Sequence, residues 1–169
     1  MNCPADDMIV LGIDPGLRTV GYGLVEKISE KICLIEGGVL RPEIETDLVS
    51  RVGEIFSGIT NIITEFKPDF MAMEDLYSHY KHPKTAIIMA HARGAILAAA
   101  NQLNLPVSHY PATMIKNSLV GQGRATKEQV REMASSILGL NGPAEPLDTY
   151  DAIAVALCHI NQNSRMILA

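Results

Sequence analysis

The sequence predicts an α/β domain in which helices flank a five-stranded mixed sheet, and three observations carry that prediction. Met8 to Ile13 is a continuous apolar run closed by Asp14, Pro15 and Gly16, the pattern of a strand buried on both faces and ended by a turn. Two further strand-like segments, Thr19 to Glu26 and Ile32 to Leu40, follow at hairpin spacing around the polar turn Ser29-Glu30-Lys31, which suggests an antiparallel meander. Beyond them, helix-period and strand-like segments alternate, as they do where helices pack on a sheet. A length of 169 residues suits one domain over 1–169 with a core of its own, its first seven residues forming a short acidic extension.

Each later element has its own signal. Asp47 suits the N-cap of a long helix. Leu48, Val52, Ile55, Phe56, Ile59, Ile62, Ile63 and Phe66 recur at helical spacing as one apolar stripe. Lys67-Pro68-Asp69 stops that helix. Phe70 to Met73 is a fourth strand, and it repeats the opening pattern by ending in a carboxylate, Glu74. Asp75 follows directly; because successive strand side chains alternate faces, it is expected to point away from Glu74. Thr85 to Leu103 is a long helix, apolar on most of its circumference. Such a helix needs cover on more than one side, so a homodimer interface is expected there. Gly94 within it costs up to about 1 kcal/mol relative to alanine, which suggests close packing at that point. Leu105 to Tyr110 is a fifth strand, Ala112 to Val120 a helix carrying Lys116, and Thr126-Lys127-Glu128-Gln129 a capping box opening another helix. Gly21 and Gly23 share one face of the second strand, where another backbone or a ligand is expected to approach closely.

Composition narrows the function classes. Cys3, Cys33 and Cys158 lack the spacing of a disulfide or zinc framework, as suits a reducing cytoplasm. No run reaches the roughly 18 apolar residues of a membrane span, so no membrane partner is expected. The short acidic start is not that of a secretory signal. The net charge of −5 is unevenly spread. From Lys81 to Arg131 there are seven basic residues and one acid, a net +6, leaving −11 for the remainder. A basic segment of that kind either faces a polyanion or is simply solvated.

Two stretches of it carry candidate contacts. Tyr77, Lys81 and Lys84 lie in a polar, basic and aromatic stretch that leaves directly from Glu74. It is either an ordinary exposed loop or a nucleic-acid contact in which rings stack on bases and lysines meet phosphates. Lys116, Arg124 and Lys127 lie in or around the loop Gly121 to Ala125, where the same two readings stand. That loop lacks the spacing of a phosphate-binding P-loop.

Four acids suggest chemistry. Asp14 and Glu74 close apolar strands, and a buried carboxylate is costly unless something positive meets it. Asp148 and Asp151, three apart at the start of the last helix, project from one face. Three of them have a structural alternative: Asp14 can open the turn that Pro15 and Gly16 continue, Asp148 and Asp151 can favour the helix dipole as acids in a first turn, and Asp148 can cap its helix. Together, four converging carboxylates repel unless divalent cations neutralise them, and hard oxygen ligands suit Mg²⁺ or Mn²⁺ rather than zinc. Two such ions about 3.5–4 Å apart form a clamp for phosphodiester hydrolysis.

The motifs I-D-P-G at Ile13–Gly16, A-M-E at Ala72–Glu74, A-R-G at Ala92–Gly94 and D-T-Y-D-A-I-A-V-A at Asp148–Ala156 resemble those of the RuvC family of bacterial Holliday junction resolvases. The resemblance runs from Ile9 to about His159. It implies a ribonuclease H-like fold with three antiparallel strands followed by two parallel ones. It implies Asp14, Glu74, Asp148 and Asp151 as the metal-binding and catalytic carboxylates, holding two Mg²⁺ ions for which Mn²⁺ substitutes. Tyr77 falls where the family has a stacking aromatic, usually phenylalanine. Lys116 and Lys127 match basic residues implicated in junction binding and catalysis. A homodimer is implied, cutting four-way junction DNA symmetrically to leave 5′-phosphate and 3′-hydroxyl ends, with RuvA and RuvB as partners. Three rival readings stand beside it: an actin-like ATPase, a non-catalytic junction-binding module, and a ribonuclease H-like nuclease acting on RNA.

Overall fold

Strand alternation decides which side chains meet which helices. In β1 (Met8–Asp14), Leu11 and Ile13 point to one face of the sheet, while Met8 and Val10 point to the other. The computed structural model describes residues 7–43, 45–75, 83–142 and 146–167. Along them β1 is followed by β2 (Val20–Ile28), β3 (Lys31–Leu40), α1 (Leu48–Phe66), β4 (Phe70–Glu74), α2 (Pro83–Gln102), β5 (Val107–Tyr110), α3 (Ala112–Val120), α4 (Lys127–Ile137) and α5 (Leu147–Ile167). The sheet order is β3-β2-β1-β4-β5. β1 and β3 each run antiparallel to β2, whereas β4 is parallel to both β1 and β5. The predicted mixed sheet of three antiparallel and two parallel strands is therefore present.

Two apolar layers sandwich this sheet. Leu11, Ile13, Leu24, Met71 and Met73 pack with Ile55, Ile59 and Ile63 of α1 and Ile96 of α2. Met8, Val10, Val25 and Ala72 pack with Ile115, Val130, Ile153 and Leu157 from α3, α4 and α5. Each fully buried side chain of this size contributes roughly 1.5–3 kcal/mol. The helix ends form as their residues dictate. Asp47 accepts the Ser50 N–H at 2.8 Å. Thr126 and Gln129 complete the capping box of α4 in both directions.

Glycines set how closely α5 lies on the sheet. A Cβ on Gly12 would collide with the Ala152 carbonyl oxygen, and one on Gly21 with the backbone carbonyl of Asp148. On Gly23 it would stand 2.5 Å from Ile153 Cγ1. The close approach expected at Gly21 and Gly23 is thus made by a helix of the same chain, whose own inner face carries the small residues Ala152 and Ala156, both buried.

Three expectations need correction. The fifth strand begins at Val107 rather than Leu105, because the Leu105 N–H closes the end of α2 on the Ala100 carbonyl at 2.9 Å, and Asn104 takes φ 55°. Asp148 lies within the first turn of α5, behind Leu147, so it is not an N-cap. Gly94 is not closely packed: an added Cβ would meet nothing within 4 Å. Instead it lines an open apolar groove of about 800 Å³ between α1 and α2, with Val49, Val52, Phe56 and Ile87. The apolar surface that α2 turns outward finds no cover within the described residues. None of their helices is long and apolar enough to cross a membrane.

Candidate active site

The sheet delivers two carboxylates and α5 delivers two more. β1 and β4 are parallel neighbours with Ile13 opposite Met73, so Asp14 and Glu74 end adjacent strands side by side. Strand alternation turns both to the face that α5 covers, as it does Gly12 and Ala72 two residues earlier. On α5, Asp148 and Asp151 project three residues apart, and the glycine seat beneath the helix brings its first turn down to the end of β1. One carboxylate oxygen from each of Asp14, Asp148 and Asp151 lies within 4.8 Å of the others. Glu74 stands outside that triad but shares with Asp14, Asp151, Lys116 and Lys127 the wall of a cavity of about 140 Å³, closed by Ile115, Val130, Ala154 and Val155. Three of the four acids singled out in the sequence thus converge, and the fourth, Glu74, borders the same cavity. Asp14 is aimed at the cluster rather than at the turn behind it.

The electrostatics follow from this crowding. Burial first, then the charge of Asp151, with smaller contributions from Asp148 and Glu74, pushes the Asp14 carboxyl up to about 7, against a pull downward from Lys127. Burial likewise raises Glu74, with Asp151 adding to it and Lys127, Lys116 and Arg93 opposing. Burial lowers the Lys127 ammonium, but the charge and hydrogen bond of Asp151 together with Asp14 outweigh it, and the net shift is upward. Oxygen donors packed this tightly suit a hard divalent cation, whose charge relieves the repulsion. The donor set therefore fits a divalent metal of that class.

Asp151 is held by three nitrogens. Arg131 Nε donates to Oδ1 and Nη2 to Oδ2, both at 2.8 Å, and Lys127 Nζ donates to Oδ2 at 3.1 Å. Sequence reasoning counted Arg131 only as charge. Its spacing four residues after Lys127 on one helix was the available signal. Arg93 was also missed as a site neighbour; from α2 it donates to the Glu74 carbonyl oxygen and meets His109 Nδ1 at 3.1 Å. Asp75 points away as expected, towards His109 Nδ1 at 4.0 Å.

The remaining candidates are not part of this cluster. Lys84 is exposed in the first turn of α2, and Arg124 is exposed in the loop before α4; neither lines the cavity. Tyr77 and Lys81 lie outside the described residues.

A family model described as crossover junction endodeoxyribonuclease RuvC matches residues 10–159. The chain belongs to the RuvC family. A relative from Rhodopirellula baltica, named crossover junction endodeoxyribonuclease RuvC, is 41% identical over 155 residues, covering 92% of this chain and 87% of its own. The solved structure of Thermus thermophilus RuvC superposes with a TM-score of 0.84 at 34% identity, over 94% of this chain and 96% of that one. A second T. thermophilus RuvC structure, in complex with a Holliday junction substrate, matches with the same TM-score at 32% identity and the same coverage. The RuvC resemblance read from the motifs is borne out, and the fold is that of RuvC.

Proposed function

We propose that this RuvC-family chain is a single-domain, structure-selective DNA endonuclease that resolves four-way junctions by metal-dependent phosphodiester hydrolysis. One observation carries the reading: Asp14, Asp148 and Asp151 converge, and Asp14 and Asp151 share with Glu74, Lys116 and Lys127 the wall of one cavity. Its substrate is supported by the T. thermophilus RuvC match bound to a Holliday junction. The four carboxylates would hold two Mg²⁺ ions, with Mn²⁺ as a substitute. When bound, such ions supply the positive charge that lowers the pKa of an attacking water and carries the charge of the leaving oxygen.

The protein's own residues position and neutralise. Asp14 lies between the sheet and α5, and is the best placed to serve both cations. Glu74 borders the cavity from the neighbouring strand. Lys116 and Lys127 meet the phosphates next to the cleaved bond, and Lys127, with its side chain 68% exposed, is free to turn from Asp151 to DNA. Tyr77 stacks on a base at the opened junction, and Lys81, Lys84 and Arg124 contact the DNA backbone. The enzyme works in the cytoplasm as a homodimer, one subunit per strand, beside RuvA and RuvB. The apolar groove between α1 and α2 supports the dimer, and family membership supports the partners.

The test offers a synthetic four-way junction, a replication fork and an RNA–DNA hybrid to the protein, with and without Mg²⁺. Symmetric nicks in the junction, dependent on Mg²⁺ and lost in Asp14→Asn while junction binding survives, are expected. Preferential cutting of the hybrid would turn the reading to an RNA-directed nuclease. Binding without cutting would leave a junction-binding module, and ATP turnover would revive the actin-like alternative.

A further inference from the structure

Arg131 and Lys127 both hold Asp151, but they do so in different ways. The Lys127 side chain is 68% exposed and makes one contact, to Oδ2 at 3.1 Å. The Arg131 side chain is 12% exposed and makes two, Nε to Oδ1 and Nη2 to Oδ2, each at 2.8 Å. A two-point fork of this kind fixes the plane of a carboxylate as well as its charge. The base under it is firm. Val130 and Ala134, the neighbours of Arg131 on α4, are buried against the α5 layer, and the capping box secures the start of the helix.

Asp151 needs such a hold. Its carboxylate stands within 4.8 Å of those of Asp14 and Asp148, and like charges at that range drive it outward. A carboxylate offers about four lone-pair sites on its two oxygens. The Arg131 fork occupies one on each oxygen and Lys127 a second on Oδ2, which leaves acceptor capacity on Oδ1 and, once Lys127 turns away, on Oδ2. We infer that Arg131 is a positioning residue: it orients Asp151 toward Asp14 and Asp148 before a cation arrives and stays in place once one is bound. Lys127 is the exchangeable contact, which leaves Oδ2 as the cation enters. This rests on the reading of Asp151 as a metal ligand and deepens it.

The experiment measures Mn²⁺ binding to the full chain without DNA, from the paramagnetic resonance signal of free Mn²⁺. It compares wild type, Asp151→Asn, Arg131→Met and Arg131→Lys, with circular dichroism reporting the fold of each. Wild type is expected to bind and Asp151→Asn to lose affinity. Arg131→Met should weaken binding by roughly 10–100-fold, the usual cost of removing a residue that orients a metal ligand. Arg131→Lys should recover only part, because an ammonium keeps the charge and loses the fork. Wild-type affinity in Arg131→Met, or tighter binding, would reduce Arg131 to a competing counter-ion and overturn the inference alone. If Arg131→Met does not fold, Arg131→Lys decides: affinity equal to wild type would show that only charge matters. A wild-type protein that does not bind Mn²⁺ would instead remove the metal reading of the site, and the inference with it.

Discussion

At Asp14, burial and the neighbouring acids Asp151, Asp148 and Glu74 raise the carboxyl to about 7 from 3.8. Between those two values the folded protein keeps a proton that the unfolded chain has already released. Stability linked to this group is therefore complete below about pH 4 and falls as pH rises toward 7, the reverse of an ordinary salt-bridged aspartate. Asp14→Asn removes the ionising group, so the metal-free variant should be more stable than wild type at pH 8, by up to about 4 kcal/mol. The gap should close towards pH 4 and narrow when Mg²⁺ is added, which urea unfolding at several pH values would show. At Lys116, on the cavity wall, the expected effect is on binding instead. Lys116→Ala should weaken junction binding and reduce the slope of log K against log salt by about 1. An unchanged slope in a titration series would mean that it makes no phosphate contact.

Among the elements, α5 is the one whose seat matters most. It carries Asp148 and Asp151, and its height above β1 and β2 depends on Gly12, Gly21 and Gly23. Gly12→Ala forces a methyl group against the Ala152 carbonyl and leaves Ala156 at 2.9 Å. Overpacking of this kind costs about 1–3 kcal/mol. Because the helix must lift to accept it, cleavage should fall further than stability does. Urea unfolding paired with cleavage at a temperature where the variant is fully folded separates the two; cleavage at the wild-type rate would show that the seat does not set the site. α4 has a complementary role, since its capping box and buried face support the two cations that hold Asp151.

For the whole molecule, the exposed apolar surface centres on the α1–α2 groove. Val49 is 81% exposed and Ile87 58%, and both large apolar side chains border the open groove. A homodimer sealed along this face should sediment as a dimer at micromolar concentration. Ile87→Glu should convert it to a monomer with an intact fold. A wild-type protein that sediments as a monomer would remove the dimer from the proposal. The groove also explains why the expectation at Gly94 failed. A glycine in a helix signals that a side chain was not needed there, but it does not tell whether backbone, a second chain or open space lies opposite.

The sequence by itself determined the element order, the strand ends at which Asp14 and Glu74 stand, the three-residue spacing of Asp148 and Asp151, and the side-chain helix caps at Asp47 and Thr126. These follow from local rules, namely alternation in strands, the 3.6-residue helical period and hydrogen bonds within one turn, and each is written in a few adjacent residues. The family was legible for the same reason, because its motifs are short and sit at those element ends. Only the tertiary structure decided that three of the acids come within 4.8 Å while Glu74 stands apart, and that Arg131, not Lys127 alone, grips Asp151. It also decided that the approach to Gly21 and Gly23 is made by α5. Those facts depend on where α5 settles on strands more than a hundred residues earlier in the chain and on how α4 packs beside it, and these contacts between elements are recorded in no local pattern.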